Sequence, residues 1–167
     1  QTGSIQLNRP KLPIHQQQEI LPRACEMKPL IFSKTTLLKM ALVMSQTAQA
    51  DCYKEASLRY RVPESLLQAV AQHESGGRTT VVHVNANGTR DIGLMQINSA
   101  WLPFLARHGL QEKDLYDPCV NVLVGAWIMS HNFQRLGYNT QGLGAYNAVT
   151  PWKRERYARK ILQSFEY

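Results

Sequence analysis

The amino-acid sequence predicts a mainly α-helical fold of one domain with at most one small β-hairpin. Three observations support this. Residues 51–167 divide into seven helical segments, most of them bounded by capping residues, prolines or glycines. Only residues 78–90 have the composition of extended chain and tight turns. The 167 residues are 44% hydrophobic and 19% charged, without internal repeats, which suits a single globular domain.

The first fifty residues differ from the rest. Residues 1–26 hold three prolines and a glutamine run without periodicity, and we expect a disordered or translated upstream segment. Residues 27–50 have the order of a signal peptide: lysines, a short apolar run, then the small-x-small pattern of a cleavage site. We therefore expect translation to begin at Met27 and cleavage to follow Ala50. An uncleaved anchoring helix is the alternative, although the apolar run is shorter than the ~20 residues of a membrane span.

Cysteine usage agrees with export. Two of the three cysteines, Cys52 and Cys119, follow Ala50, which is an even number. A bond between them would close a loop of 66 intervening residues. Such a loop stabilises a fold by roughly 3–4 kcal/mol in the chain-entropy model. Disulfides persist in oxidising compartments such as the bacterial periplasm. Two unrelated buried thiols are the alternative.

Two helices begin the domain of residues 51–167. Asp51 can cap a helix that runs to about Tyr60. The second helix runs from Pro63, which suits a first helical position, to Ser75. The glycine pair at 76–77 can adopt left-handed backbone and end it. Its apolar stripe consists of Leu66, Leu67, Val70 and Ala71.

Glu74 is the next position on that apolar stripe. Burial disfavours the charged form of a carboxyl group and raises its pKa. A carboxylic acid that is still protonated near neutral pH can act as a general acid. The alternative is that Glu74 tips outward at a fraying helix end or forms an ion pair with Arg78, four residues on.

Extended chain and turns come next. Residues 79–84 favour extended backbone and residues 85–88 a tight turn, which together predict the small hairpin. Ser99 can cap a helix that runs to about His108, and a short turn follows at residues 111–116.

The longest and most apolar helix is predicted at Pro118–Leu136, after the capping residue Asp117, and it should run through the core. A short helix at 140–146 and a last helix at 151–165 complete the domain. The last helix is basic on one face and apolar along the other, through Trp152, Tyr157, Ile161 and Phe165.

Several function classes are excluded by motif and charge. His73-Glu74 begins like a metalloprotease helix, but the position of the second histidine holds Gly77, and no cysteine pair has ligand spacing, so we expect no metal. Phosphate-binding glycine loops are absent, and we expect no cofactor. Residues 51–167 carry thirteen Lys and Arg against ten acids, a net charge of +3, without a block typical of a nucleic-acid arm. Such a domain would still be attracted to an anionic polymer such as a bacterial wall.

Polar residues that could accompany Glu74 suit a sugar. Gln96 and Asn98 lie two apart and would face the same way in extended chain. Tyr146 and Asn147 lie at a predicted helix end. Amides and a phenol can bind the hydroxyl and acetamido groups of a sugar. Turn formation and helix capping are the alternative for the two amides, and core packing is the alternative for Tyr146.

Three motifs, in order and spacing, resemble the soluble lytic transglycosylase family. They are Glu-Ser-Gly-Gly at 74–77, Gly-Leu-Met-Gln-Ile-Asn at 93–98 and Ala-Tyr-Asn at 145–147. The resemblance covers about residues 51–150. It is greatest to the small members that accompany specialised secretion systems and type IV pili. Those often carry Asp-Cys-Tyr and Asp-Pro-Cys-x-Asn segments, which stand here at 51–53 and 117–121.

The resemblance implies a lysozyme-like fold and an exported, periplasmic enzyme. Its substrate would be peptidoglycan glycan strands, cleaved at the β-1,4 bond between N-acetylmuramic acid and N-acetylglucosamine to leave a 1,6-anhydro sugar. By position it implies Glu74 as the catalytic acid, Ser75 and Gln96 as site residues, and Tyr146 close to the acid. Many larger members have Met where Asn98 stands, so its sugar contact would be polar here. Pilus or secretion-system components are the implied partners, and we expect a monomer.

Two other functions are compatible with the same residues. A goose-lysozyme-like hydrolase would use Asp91 as a second carboxylate, and its products would be one water heavier than 1,6-anhydro ends. A wall-binding assembly protein would keep the fold without turnover, and Glu74→Gln would leave its function intact.

Overall fold

A computed structural model describes residues 51–164, and the segments expected at 1–26 and 27–50 lie outside the described residues. The first described helix, α1, covers residues 51–60. The other helices and strands, in chain order, are α2 (Glu64–Ser75), β1 (Val82–Val84), β2 (Arg90–Ile92), β3 (Ile97–Asn98), a 3-10 helix (Ser99–Trp101), α3 (Leu102–Ala106), a 3-10 helix (Glu112–Tyr116), α4 (Pro118–Leu136), α5 (Thr140–Gly144) and α6 (Pro151–Gln163). The mainly α, lysozyme-like fold class is confirmed.

The extended stretch forms a three-stranded antiparallel sheet in the order β1-β2-β3. Strands β1 and β2 are the predicted hairpin, with His83 opposite Asp91. The two-residue strand β3 adds to its other edge and places Asn98 opposite Asp91. The sheet therefore brings Asp91 next to the last residue of the Gly-Leu-Met-Gln-Ile-Asn motif.

Helix α4 runs through the core, as its apolar sequence predicts. Every residue from Asn121 to Met129 is buried. The Asp117 side chain accepts a hydrogen bond from the backbone N–H of Val120 and caps the helix. Cys119, in its first turn, forms a disulfide with Cys52 of α1, and the two Cα atoms are 5.0 Å apart. The predicted pairing of these two cysteines is thus present.

Helices α5 and α6 approach each other closely because Gly144 lacks a side chain. A Cβ atom at this position would lie 2.2 Å from the carbonyl oxygen of Arg154. The close approach fixes α6 against the chain that carries Tyr146, and α6 also contacts α2. Helix α6 therefore packs against both α5 and α2.

Two details of the helices differ from the predictions. Asn98, and not Ser99, caps the helical segment that follows, because its side chain accepts a hydrogen bond from the N–H of Ala100 at 2.9 Å. The sequence predicts Trp152 on the apolar face of the last helix, but its side chain is 59% exposed, whereas Tyr157 and Ile161 are buried. At 100° per residue, Trp152 lies about 140° around the helix axis from Tyr157, and so outside the buried face. Within the described residues, no helix has the length and apolar character to cross a membrane.

Candidate active site

Glu74 lies in the last turn of α2, where the buried apolar stripe ends. Leu67, Val70 and Ala71 are almost completely buried below it. Gly76 ends the helix in left-handed backbone, with a φ of 64°, and its N–H bonds back to the carbonyls of Ala71 and Gln72. The carboxyl group of Glu74 is half-buried, so the stripe ends in an acid as the spacing predicts.

The hydrogen-bond partner of Glu74 comes from the far end of the chain. The hydroxyl of Tyr157, on α6, donates to Glu74 Oε1 at 2.5 Å. Arg78, the ion-pair partner considered for Glu74, instead donates its Nε–H to the carbonyl of Ser75 at 2.8 Å. The ion pairs among residues 51–164 join Arg59 to Glu55 and Arg90 to Glu112. Glu74 therefore has a phenol and not a cation beside it.

This environment raises the pKa of Glu74 above its ordinary value of 4.5. Burial is the main cause, the hydrogen bond from Tyr157 opposes it, and the negative charge of Asp91 adds to it. Burial raises the pKa of Tyr157 well above 10, and the charge of Glu74 raises it further. The pair thus holds an acid with an elevated pKa next to a phenol that stays protonated.

A second tyrosine closes the cluster. The hydroxyl of Tyr146 donates to the carbonyl of Met95 at 2.8 Å. Burial raises the pKa of Tyr146 well above 10, and the charges of Glu74 and Asp91 add to the shift. The structure thus places the Tyr146 hydroxyl in the electrostatic field of both carboxylates, while it holds the backbone of the Gly-Leu-Met-Gln motif.

That motif is a tight turn held from below by Asn121. The Asn121 side chain accepts from the N–H of Met95 at 2.7 Å and donates to the carbonyls of Ile92 and Leu115 at 3.0 and 2.7 Å. Gly93 has a φ of 76°, and a Cβ atom there would lie 2.3 Å from the Asn121 Nδ2. Glycine is required at this position both by backbone conformation and by space.

Gln96 follows directly and has left-handed backbone, with a φ of 51°. The expectation that it shares a face with Asn98 assumed extended chain at both positions, and this backbone turn removes the alternation. Its Nε2 donates to the carbonyls of Gly93 and Val81 at 2.8 and 3.1 Å. Its Oε1 accepts no hydrogen bond from the described residues, so it is available as an acceptor for a ligand.

Asp91 and Asn98 bind each other within the sheet. Asn98 Nδ2 donates to Asp91 Oδ1 at 2.6 Å, and Asn85 Nδ2 donates to Asp91 Oδ2 at 2.9 Å. Both carboxylate oxygens of Asp91 are therefore engaged by amides. Since the other end of the Asn98 amide caps the following helical segment, the capping alternative raised for this residue applies.

The remaining predicted site residues differ in accessibility. The Ser75 side chain is 2% exposed, and its hydroxyl donates to the carbonyl of Ala71 at 3.1 Å. Asn147 is exposed just after α5. The described residues contain no group of three or more His, Cys, Asp or Glu side chains that could hold a metal ion.

Tyr157 is a site residue that the sequence does not predict, because its position on the apolar face of the last helix suggests core packing alone. A signal was present. A tyrosine on a buried face needs a hydrogen-bond partner for its hydroxyl, and this requirement separates it from the neighbouring Ile161. The identity of the partner, 83 residues away, is not contained in local sequence.

The chain is similar in sequence to several known proteins. A family model described as "Transglycosylase SLT domain" matches residues 51–164. The invasion protein IagB of Salmonella typhimurium is 41% identical over 129 residues, which cover 74% of this chain and 81% of that protein. Protein IpgF of Shigella flexneri is 37% identical over 122 residues, 70% of this chain and 80% of its own. A peptidoglycan-binding-like protein of Escherichia coli O157:H7 is 34% identical over 136 residues, 74% of this chain and 81% of its own.

Proposed function

The chain belongs to the transglycosylase SLT domain family, and on this premise we propose that it cleaves the β-1,4 bond between N-acetylmuramic acid and N-acetylglucosamine without water. The product is a 1,6-anhydro-N-acetylmuramic acid end. Glu74 serves first as the general acid and then as the general base. The observation that carries the proposal is the half-buried Glu74 carboxyl, with a raised pKa and a phenol as its hydrogen-bond partner.

One carboxyl group is sufficient for this reaction. The protonated Glu74 donates its proton to the bridging oxygen as the bond from C1 to that oxygen breaks. The resulting carboxylate then accepts the proton of the sugar's own 6-hydroxyl as the oxygen closes on C1. Glu74 gives one proton to the bridging oxygen and receives one from the 6-hydroxyl, so it ends the reaction protonated, as it began. The acetamido group of the substrate would stabilise the positive anomeric centre, as the family resemblance suggests.

The surroundings of Glu74 favour the protonated acid in the first step and the carboxylate in the second. Burial and the charge of Asp91 favour the protonated acid that begins it. The hydrogen bond from Tyr157 favours the carboxylate that forms midway and limits the cost of that charge. The raised pKa of Glu74 keeps a larger fraction protonated near neutral pH than an exposed glutamate would have.

The engagement of Asp91 supports this mechanism over hydrolysis. Hydrolytic glycosidases generally use two carboxyl groups, one of which activates water or attacks the sugar. Both oxygens of Asp91 already accept hydrogen bonds from Asn85 and Asn98. Asp91 is therefore better placed to hold the sheet and to raise the pKa of Glu74 than to act as a second catalytic carboxylate.

The other predicted site residues keep proposed roles in binding. Gln96 offers a free Oε1 to a sugar N–H or hydroxyl, and Asn147 offers an exposed amide. Tyr146 positions the turn that carries Gln96. Ser75 and Asn98 have their side chains engaged within the protein, so we propose that they support the site by holding the end of α2 and the sheet.

The biological role that we propose is local opening of the wall during assembly of a secretion system or pilus. The support is the similarity to proteins named as an invasion protein and as peptidoglycan-binding-like. Because peptidoglycan lies outside the cytoplasm, we propose that the protein is exported to the periplasm. We also propose that it acts as a monomer.

The experiment is digestion of purified sacculi by the oxidised protein, with mass analysis of the released fragments. The expected products are one water lighter than hydrolysis products. Glu74→Gln should lower the rate by about 10³-fold or more, since general acid–base catalysis contributes typically 10²–10⁴ and Glu74 performs both steps. Glu64→Gln, in the first turn of the same helix, is the matched control and should leave the rate unchanged.

Each alternative has its own outcome. Fragments with the mass of hydrolysis products would replace the lyase with a goose-lysozyme-like hydrolase. Sacculi that bind the protein but stay intact would favour the assembly protein without turnover. A Glu74→Gln variant as active as the wild type would remove the proposed acid.

A further inference from the structure

The positive charge of the domain is concentrated on α6. Residues 51–167 carry thirteen Lys and Arg against ten acids. Helix α6 alone contributes five of those cations, at 153, 154, 156, 159 and 160, and one acid, Glu155. Without α6 the same stretch has eight cations against nine acids. The attraction for anions therefore comes from one helix and not from the surface in general.

Three of these cations form what we call the α6 stripe: Lys153, Arg156 and Lys160. They are separated by three and four residues, so they lie on one side of the helix. All three are exposed, and none takes part in the ion pairs of the described residues. The one acid of α6, Glu155, accepts hydrogen bonds from Thr140 and Gln141 instead.

The α6 stripe borders the catalytic acid. Tyr157, which donates to Glu74, lies four residues after Lys153 and three before Lys160. The charge of Lys160, together with burial, lowers the pKa of His73, the neighbour of Glu74 in sequence. The ring of His73 in turn lies edge-on to Tyr157, with centroids 5.5 Å apart. A ligand held at Glu74 would therefore lie beside the helix that carries these cations.

An exposed aromatic ring lies among the same charges. Trp152 is 59% exposed. Lys153 Nζ lies 5.5 Å and Arg156 Cζ 5.4 Å from the centre of its ring. Tryptophan and arginine are over-represented among the residues that dominate binding surfaces, and a cation is attracted to the face of an aromatic ring.

We propose that the α6 stripe binds the carboxylates of the stem peptides that peptidoglycan carries on its glycan strands. The enzyme would then prefer peptide-bearing strands to strands from which the peptides have been removed. This inference rests on the proposed function, because it places the glycan at Glu74. Stem peptides are the nearest anions to a glycan held there. The stripe spans about 10 Å, at 1.5 Å per residue, which suits a short peptide branch.

A membrane surface is the other anionic partner to consider. A helix that binds anionic lipid presents a broad apolar face opposite its cations. The apolar face of α6 is occupied by the core, through Tyr157, Ala158 and Ile161. Only Trp152 and Leu162 of this helix are exposed large hydrophobic residues. The observations therefore favour a ligand bound at the active site.

The test compares turnover of peptide-bearing and amidase-stripped glycan strands of the same length. The stripe variant is Lys153→Gln/Arg156→Gln/Lys160→Gln. The control variant removes three exposed cations elsewhere, by Lys54→Gln/Lys113→Gln/Arg135→Gln, and has the same net charge. We expect the wild type to have a higher kcat/KM on peptide-bearing strands. The preference is the kcat/KM on peptide-bearing strands divided by the kcat/KM on stripped strands. This ratio should be about tenfold lower in the stripe variant, because three exposed charge contacts are lost. The control variant should have the same ratio as the wild type.

A second measurement separates this inference from the proposed catalysis. Two proteins are compared: Glu74→Gln alone, and Glu74→Gln combined with the three stripe substitutions. The affinity of each protein for peptide-bearing and for stripped strands is measured at low and at high salt. The peptide-dependent difference should disappear in the stripe variant and weaken in salt. If the wild type cleaves neither strand but this difference in binding is seen, the proposed function fails and the inference stands. If the wild type cleaves the two kinds of strand with equal kcat/KM and also binds them equally, the inference is overturned. Equal losses of the preference in the stripe and control variants would overturn it too. So would stripe-dependent binding to phosphatidylglycerol vesicles without a preference between strands.

Discussion

The hydrogen bond between Tyr157 and Glu74 allows the pKa of the catalytic acid to be changed by one atom. Tyr157→Phe keeps the ring in the core and removes the donor that lies 2.5 Å from Glu74 Oε1. A hydrogen bond to a charged group contributes about 1.5–3 kcal/mol and one between neutral groups about 0.5–1.5 kcal/mol. The difference, about 1–1.5 kcal/mol, is the extent to which Tyr157 favours the carboxylate over the neutral acid.

One pKa unit corresponds to about 1.36 kcal/mol, so the variant should raise the pKa of Glu74 by about one unit. The sign follows from which form loses its partner. Without the phenol the carboxylate form of Glu74 loses its hydrogen bond. Burial and the charge of Asp91 then raise the pKa of Glu74 without an opposing contribution, so Glu74 stays protonated to higher pH. Because the reaction begins with the protonated acid, the alkaline limb of the pH–rate profile should move up by about one unit.

The assay is release of fragments from sacculi over a pH series, with thermal unfolding to verify that the variant is folded. Tyr138→Phe is the control, because Tyr138 is exposed and its ring lies against that of Phe133. Its profile should match the wild type. An alkaline limb that stays in place or moves to lower pH in Tyr157→Phe would refute the assignment of Tyr157 as the residue that tunes the acid.

Two further predictions concern stability. Glu74→Gln should raise the melting temperature at neutral pH, and the gain should shrink as the pH falls toward 4. The folded state holds the proton of Glu74 more tightly than the unfolded state does, so stability falls as pH rises from its ordinary pKa of 4.5 toward the raised value. Equal gains at both pH values would contradict the raised pKa. Asn121→Ala should lower the free energy of unfolding by about 3–5 kcal/mol, since one buried N–H and two buried carbonyls lose their partner. The free energy of unfolding is measured by denaturant titration, with Asn87→Ala in an exposed turn as the control. The control should change the free energy of unfolding by less than about 1 kcal/mol. A similarly small loss in Asn121→Ala would contradict the role given to Asn121.

The parts of the site that could be predicted from the sequence are those encoded within one element. Glu74 ends the stripe of α2 because a helix repeats every 3.6 residues, and the glycines after it fix where the helix stops. The course of α4 through the core follows in the same way from its apolar sequence and its cap at Asp117. The Cys52–Cys119 pairing followed from counting the cysteines after the predicted cleavage site.

The parts that could not be predicted depend on contacts between elements or on single backbone angles. Nothing in the sequence around Gln96 indicates a φ of 51°, and this angle decides where its amide points. Asn98 was ambiguous between sugar binding and capping because both need the same amide, and only the position of Ala100 and Asp91 distinguishes them. Tyr157 could not be identified because its ring packs like an apolar side chain, and the sequence does not show what its hydroxyl contacts.

These long-range contacts couple the chemistry to the integrity of the fold. The Tyr157 hydroxyl reaches Glu74 over 83 residues of sequence, and Tyr146 reaches the carbonyl of Met95 over 51. Each bond closes only if α6 and α5 are packed as Gly144 allows. A helix α6 that loosens without unfolding would admit water to Glu74 and remove its phenol at once. The first effect lowers the pKa of Glu74 and the second raises it, so the two partly cancel. The rate would therefore fall through loss of positioning before the pH dependence reported any change in the acid.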